Sequence, residues 1–251
     1  MSDAFGAYCD EFHVATRLFL KLDLTLERET VLHFFDSLKR EYPLLCKLRR
    51  REDDSLLLEE DETPDGSRRW LRLDVDALRT GYDNPAHTGA AAALGQTVLR
   101  LAPYHLTLSD LDYSHLEVVY GFDLEYRGNH DQLVAETLLG ESPLSGLLIH
   151  DTVRHVIDAQ PLLGVAVSDS CDTQVYVDIK SHTSTYEVRT QRYEGSMLSV
   201  LLTVRRYWGM TATEGLVETH RTLTGLAEDW AADRVVPLVV NPLAQAISSG
   251  R

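Results

Sequence analysis

The feature that most constrains this chain is a strict alternation of apolar and polar residues. Between residues 12 and 24 the even positions are Phe12, Val14, Thr16, Leu18, Leu20, Leu22 and Leu24, whereas His13, Arg17, Lys21 and Asp23 are odd. Side chains alternate across a strand, so this period of two predicts a β-strand with one buried face. The pattern returns over 116–126. There Leu116, Val118, Tyr120, Phe122, Leu124 and Tyr126 point one way, and His115, Glu117, Asp123 and Glu125 project from the other side. Strands of this kind need an apolar cover on one face and leave the other to water or to a second layer.

Helical periodicity fills the spaces between. Thr25 is placed to cap a helix whose stripe is Val31, Phe34, Phe35, Leu38 and Tyr42, ended by Pro43. Short strands are expected at 45–50, 56–60 and 70–75. Asn84 and Pro85 predict the start of a second helix, with Ala90, Leu94, Val98 and Leu101 inward and an end by Pro103. Asn129 caps a third helix that Gly140 stops, and a fourth is expected over 144–159, with Ile149, Val153, Val156 and Ile157 on its apolar face. After Pro161 the spacing predicts strands at 163–168, 174–180, 186–192 and 197–206. The capping-box pattern from Thr211 to Glu214 then opens a long helix running to about Ala232, followed by an apolar tail, 235–240, interrupted by Pro237.

These readings give an α+β fold, with antiparallel sheets covered on one face by amphipathic helices. Both halves combine antiparallel strands with a long helix, which predicts two similar lobes, 1–140 and 141–251. The alternative is one curved sheet gripping a long C-terminal helix. The order of strand, helix and Tyr42-Pro43-Leu44-Leu45 resembles the start of the chloramphenicol acetyltransferase and condensation-domain architecture. Those acyltransferases use an H-x-x-x-D motif, and none of the ten histidines has an aspartate four residues later. No family is assigned.

Composition narrows the function classes. Twenty-four Lys and Arg against 39 Asp and Glu give a formal charge of −15, which repels phosphate backbones and anionic membrane surfaces. Nucleic acid and membrane are therefore not expected partners. Cys9, Cys46 and Cys171 are odd in number and in no C-x-x-C pairing, which fits reduced thiols in a cytoplasmic protein and no metal knuckle. Met1-Ser2-Asp3-Ala4 has no basic or apolar character of a leader. No G-x-G-x-x-G, phosphate loop, nucleophile elbow or H-E-x-x-H is present, so no cofactor and no metal are implied and no catalytic motif is readable. His150 and His155, five apart on a helix, would point about 140° apart and share no metal easily.

Two clusters remain. His115, Glu117, Asp123 and Glu125 share one strand face. If that face is covered, burial raises carboxylate pKa values and permits acid–base work in a small-molecule enzyme; if it is wet, the residues are a solvated surface. The second cluster is basic: Arg49 and Arg51 alternate with Lys47, and Arg69 and Arg72 sit on a neighbouring segment. These arginines either pair with Glu52, Asp53, Glu59, Glu60 and Asp61 or hold a small anionic ligand. The expected function is binding, to a protein partner or to a second copy of the chain. Long alternating strands and the apolar tail favour a homodimer, unless the tail packs on its own core.

Overall fold

The structure is a computed structural model that describes residues 5–25, 27–209 and 214–250. In chain order, the first half runs β1 (Glu11–Leu20), α1 (Arg28–Glu41), β2 (Lys47–Arg50), β3 (Leu56–Glu59), β4 (Arg68–Leu73), β5 (Ala77–Asp83) and α2 (Thr88–His105). The second runs β6 (Tyr113–Tyr126), α3 (His130–Leu138), α4 (Ser145–Leu148), β7 (Leu162–Ala166), β8 (Thr173–Lys180), α5 (Thr185–Thr190), β9 (Ser196–Tyr207), α6 (Leu216–Trp230) and α7 (Asn241–Ser248).

Among the described residues nine strands join one antiparallel sheet in the order β2-β3-β4-β5-β1-β6-β9-β8-β7. β1 is the middle strand, and it pairs with β6, the first strand of the second half. Segments 1–140 and 141–251 both contribute to this sheet: β6 pairs with β9 from His115 to Tyr126.

The alternation of β1 and β6 decides which face carries the core. Phe12, Val14, Leu18 and Leu20 join Leu116, Val118, Tyr120, Phe122 and Leu124 in a single buried cluster with the helices. Helix α1 supplies Val31, Phe34, Phe35 and Leu38 from one stripe, and α6 supplies Leu216, Leu223 and Ala227. Each fully buried side chain of this size stabilises by roughly 1.5–3 kcal/mol before entropy is counted. The fold is α+β, and its helices cover one face of an unclosed sheet.

One polar contact pins that layer. Thr16 Oγ1 of β1 lies 2.8 Å from His220 Nε2 of α6, both side chains buried. Gly95 of α2 makes room for the pair: an added Cβ there would stand 2.6 Å from Thr16 Oγ1 and 2.8 Å from His220 Nε2. Burial, helped by the charge of Arg221, pushes the His220 imidazole down to about 4, so the ring is neutral near pH 7.

Several local expectations are corrected. The segment 144–159 is helical only over Ser145–Leu148. Beyond it, main-chain N–H groups donate to α3 side chains instead, Val156 to Gln132 Oε1 and Ala159 to Asp131 Oδ1. The strand expected at 186–192 is a short helix, because Ser184 and Glu187 close a capping box. Thr25 does not cap α1, whose N-cap is Glu27 without a side-chain bond. Nor does Asn84 cap α2: it takes a positive φ of 46°, and His87 Nδ1 accepts from the Ala90 N–H. β5 went unexpected, its pattern interrupted by Gly81. The amino-terminal residues 1–4 and the Thr211–Thr213 part of the expected capping box lie outside the described residues.

The apolar tail neither ends the helix nor hangs free. Helix α6 passes through a π-helical stretch, Ala231–Val240, into α7. Proline lacks an N–H and crowds the carbonyl four residues back, and a wider turn accommodates Pro237. Val235, Val236 and Val240 are buried in the common core, so the tail packs on its own chain. No helix among the described residues is long and apolar enough to cross a membrane.

Candidate functional site

The face of the sheet opposite the helices contributes nothing to the core cluster, yet it is far from bare. The register aligns its side chains in rows that run across the strands. One row is aromatic: Phe19 of β1 pairs in register with His115 of β6, and His115 with Tyr207 of β9. Phe19 and His115 stack with ring centres 4.3 Å apart, and Tyr207 follows at 5.3 Å.

The next row is charged. Arg72 of β4 stands opposite Arg79 of β5, Arg79 opposite Arg17 of β1, Arg17 opposite Glu117 of β6, and Glu117 opposite Arg205 of β9. Asp74 takes Arg72 Nε at 2.6 Å and Arg79 Nε at 2.8 Å. Glu117 Oε1 accepts from Arg205 Nε at 2.7 Å and lies 3.6 Å from His115 Nε2. Arg205 also lies over the rings of Tyr176 and Tyr207.

A third row is small in the middle: Trp70, Gly81, Ala15, Val119 and Thr203 follow one another in register. Gly81 lets the Trp70 indole lie flat across the strand, since a Cβ there would stand 2.4 Å from the ring. The indole N–H donates to Asp83 Oδ1 at 3.2 Å. Ala15 and Val119, in the middle of this row, are buried.

The four acidic-face residues singled out from the sequence divide. His115 and Glu117 belong to one ion-pair group. Asp123 lies 3.4 Å from His13 Nδ1 and accepts from Ser199 Oγ, while Glu125 is exposed at the strand end. Glu117 is only 2% exposed, and burial pushes its carboxyl upward. The neighbouring His115 ring, the bond and charge of Arg205 and the charge of Arg17 outweigh that and hold it below the ordinary carboxylate value. Asp123 is likewise held low, desolvation being outweighed by His13 and Ser199. Both carboxylates stay ionised near pH 7. A general acid would need the opposite shift.

The basic cluster is largely neutralised by its own neighbourhood. Arg49 pairs with Glu59 at 2.9 Å, Arg69 with Glu60 at 3.0 Å, and Arg72 with Asp53 as well as Asp74. Lys47 pairs with Asp61. Arg51 follows the end of β2, exposed, and its charge acts on Asp53, the carboxylate that also pairs with Arg72. Asp151, His155 and Asp158 are exposed on an irregular segment rather than a helix. Among the described residues no group of three or more His, Cys, Asp or Glu is arranged to hold a metal ion.

Arg17, Arg79 and Arg205 were not singled out as site residues. Each looks unremarkable in its own strand, and only the register sets them beside one another. No family model, curated protein or solved structure matches the chain.

The two edges of the sheet also differ. β2 reads Lys47-Leu48-Arg49-Arg50, and all four residues are exposed. β7 reads Leu162-Leu163-Gly164-Val165-Ala166, without a charge, and Leu162, Leu163 and Val165 are exposed by 59%, 65% and 46%. Beside it on the helix side lies an apolar groove of about 390 Å³ lined by Leu138, Leu163, Val177, Trp230 and Leu238.

Proposed function

We propose that this protein works by binding rather than catalysis, and that it does so as a cytoplasmic homodimer joined through β7. The observation that carries this reading is the uncharged, exposed β7 edge. The Val167 N–H donates to the Thr173 carbonyl and the Ile179 N–H to the Pro161 carbonyl, so odd-numbered residues face β8. Antiparallel pairing alternates, which turns the N–H and C=O groups of Leu162, Gly164 and Ala166 outward. A second β7 related by a two-fold axis at Gly164 sets 162 against 166, 164 against 164 and 166 against 162. Every outward group then meets a complementary one. Leu163 and Val165 of the two copies come face to face on the helix side, next to the groove.

The ionised state of Glu117 and Asp123 supports a binding role over acid–base chemistry. The charge of −15 supports the absence of nucleic-acid affinity.

Light scattering over a concentration series tests the dimer. The wild-type chain is expected to be dimeric and the double substitution Leu163→Lys, Val165→Lys monomeric, with unchanged circular dichroism because both side chains are already solvent-facing. A wild-type monomer across the micromolar range would sink the proposal.

A further inference from the structure

We propose that the centre of the open face is a binding site for a small oxyanion, a carboxylate or a phosphate, held by the guanidinium of Arg17 with Arg79 beside it. The inference concerns a different surface from the β7 edge, and either can fail alone.

The first support is a charge imbalance at the middle of an acidic protein. The row brings together Arg72, Arg79, Arg17 and Arg205, four cations. Their carboxylate partners are Asp74, Glu117 and, at the rim, Asp53, which is three anions. Arg72 and Arg79 share Asp74, and Arg205 takes the short contacts to Glu117. Arg17 is left over. Its nearest carboxylate oxygen is Glu117 Oε2 at 3.9 Å, beyond hydrogen-bond length, and its guanidinium makes no hydrogen bond among the described residues.

The second support is its position. Arg17 sits on the fifth of nine strands, directly opposite Arg79, which in turn faces Arg72. Like charges directly opposite each other on adjacent strands destabilise a sheet. The Arg17 side chain is 32% exposed, so it opens to solvent while much of its length is covered. Burial lowers its pKa and Arg79 adds to that, with Glu117 opposing. A desolvated cation next to a like charge, with its donor fork unfilled, is what a bidentate oxyanion neutralises.

The surroundings complete the site. The Phe19 ring, stacked on His115 and overlain by Arg79 at 5.5 Å, walls one side of the row. On the other side the Trp70 indole lies across Gly81, and Ala15 is buried. The carboxylates nearest the row are already engaged, Glu117 by Arg205 and Asp74 by Arg72 and Arg79.

Titration calorimetry on the full chain, with inorganic phosphate in one arm and benzoate in the other, tests the site and separates the two oxyanions. Saturable binding of at least one is expected, weakened roughly tenfold or more in Arg17→Gln, as loss of a charge-assisted bond requires. Arg79→Gln should weaken it less, because Asp74 already engages Arg79. Without ligand, Arg17→Gln is expected to leave the thermal midpoint unchanged or raise it, since burial of the guanidinium, with Arg79 facing it, outweighs the attraction of Glu117. No saturable binding of either anion into the millimolar range overturns the proposal. So does Arg17→Gln binding as tightly as wild type, or a lowered ligand-free midpoint, which would make Arg17 a structural partner of Glu117.

Discussion

The two faces of the central strand use the same backbone to opposite ends. On the helix side Phe12, Val14, Leu18 and Leu20 of β1 are held by contact with many neighbours, and their chemistry is interchangeable within limits of volume. On the open side His13 and Phe19 each answer to a named partner across the strands, and Arg17 stands between Arg79 and Glu117. A core face tolerates conservative change and punishes lost volume. A face built of paired charges tolerates lost volume and punishes lost charge.

The largest effect that would test this contrast comes from truncation in the core. Phe122→Ala, at a fully buried ring, is expected to cost about 3–5 kcal/mol in urea unfolding. A cost under about 1 kcal/mol would mean that the aromatic cluster with Phe5 and Phe12 is loosely packed.

Next in size is a pH effect from the helix side. The His220 ring is depressed from 6.5 to about 4 on folding, so between these values the unfolded chain binds the extra proton. Its contribution is complete above pH 6.5 and is lost as pH falls toward 4, up to about 3 kcal/mol. Urea melts of wild type and His220→Gln from pH 7 to pH 4.5 should converge as the pH falls. Parallel curves would remove His220 from the account.

On the open face, Glu117→Gln is expected to cost about 2 kcal/mol, because Arg205 loses a charged acceptor although it remains partly solvated. The carboxyl is held below its ordinary 4.5, so its contribution is present above that value and declines only in more acidic solution. Wild type and the variant should therefore differ at pH 7 and differ less in solution more acidic than pH 4.5. An equal cost at both would assign the loss to packing.

The smallest effect sharpens the contrast from the other side. Thr203→Ala, on the open face of β9, is expected within about 0.5 kcal/mol of wild type. A loss comparable with Phe122→Ala would mean that a second layer covers this face.

What could be read from the sequence follows the same division. β1 and β6 were legible because alternation is local, and so were α1 and the stripe of α6. β5 was not, since Gly81 exists to admit the Trp70 ring from the next strand, a reason that lies outside its own segment. The stretch after Leu148 was read as a helix from its apolar spacing, but its backbone is satisfied by Asp131 and Gln132 of α3. At the candidate site, His115, Glu117 and Asp123 were visible as a shared face. Whether the Glu117 and Asp123 carboxyls would stand above or below their ordinary range depended also on Arg205 and His13, which arrive from other strands. Register joins the arginine row, and nothing in a single strand records it.

The charged β2 strand has a consequence for how far assembly can go. Every copy has two sheet ends, but only β7 is uncharged, while β2 carries Lys47, Arg49 and Arg50. In the vocabulary of polymer chemistry each molecule is monofunctional. Joining two copies through β7, as proposed, consumes both reactive ends and leaves a sheet of nine plus nine strands terminated by β2 at either extremity. Growth stops at the second copy, so the same strand pairing that would propagate a fibre in a molecule with two open edges here yields a closed, countable product.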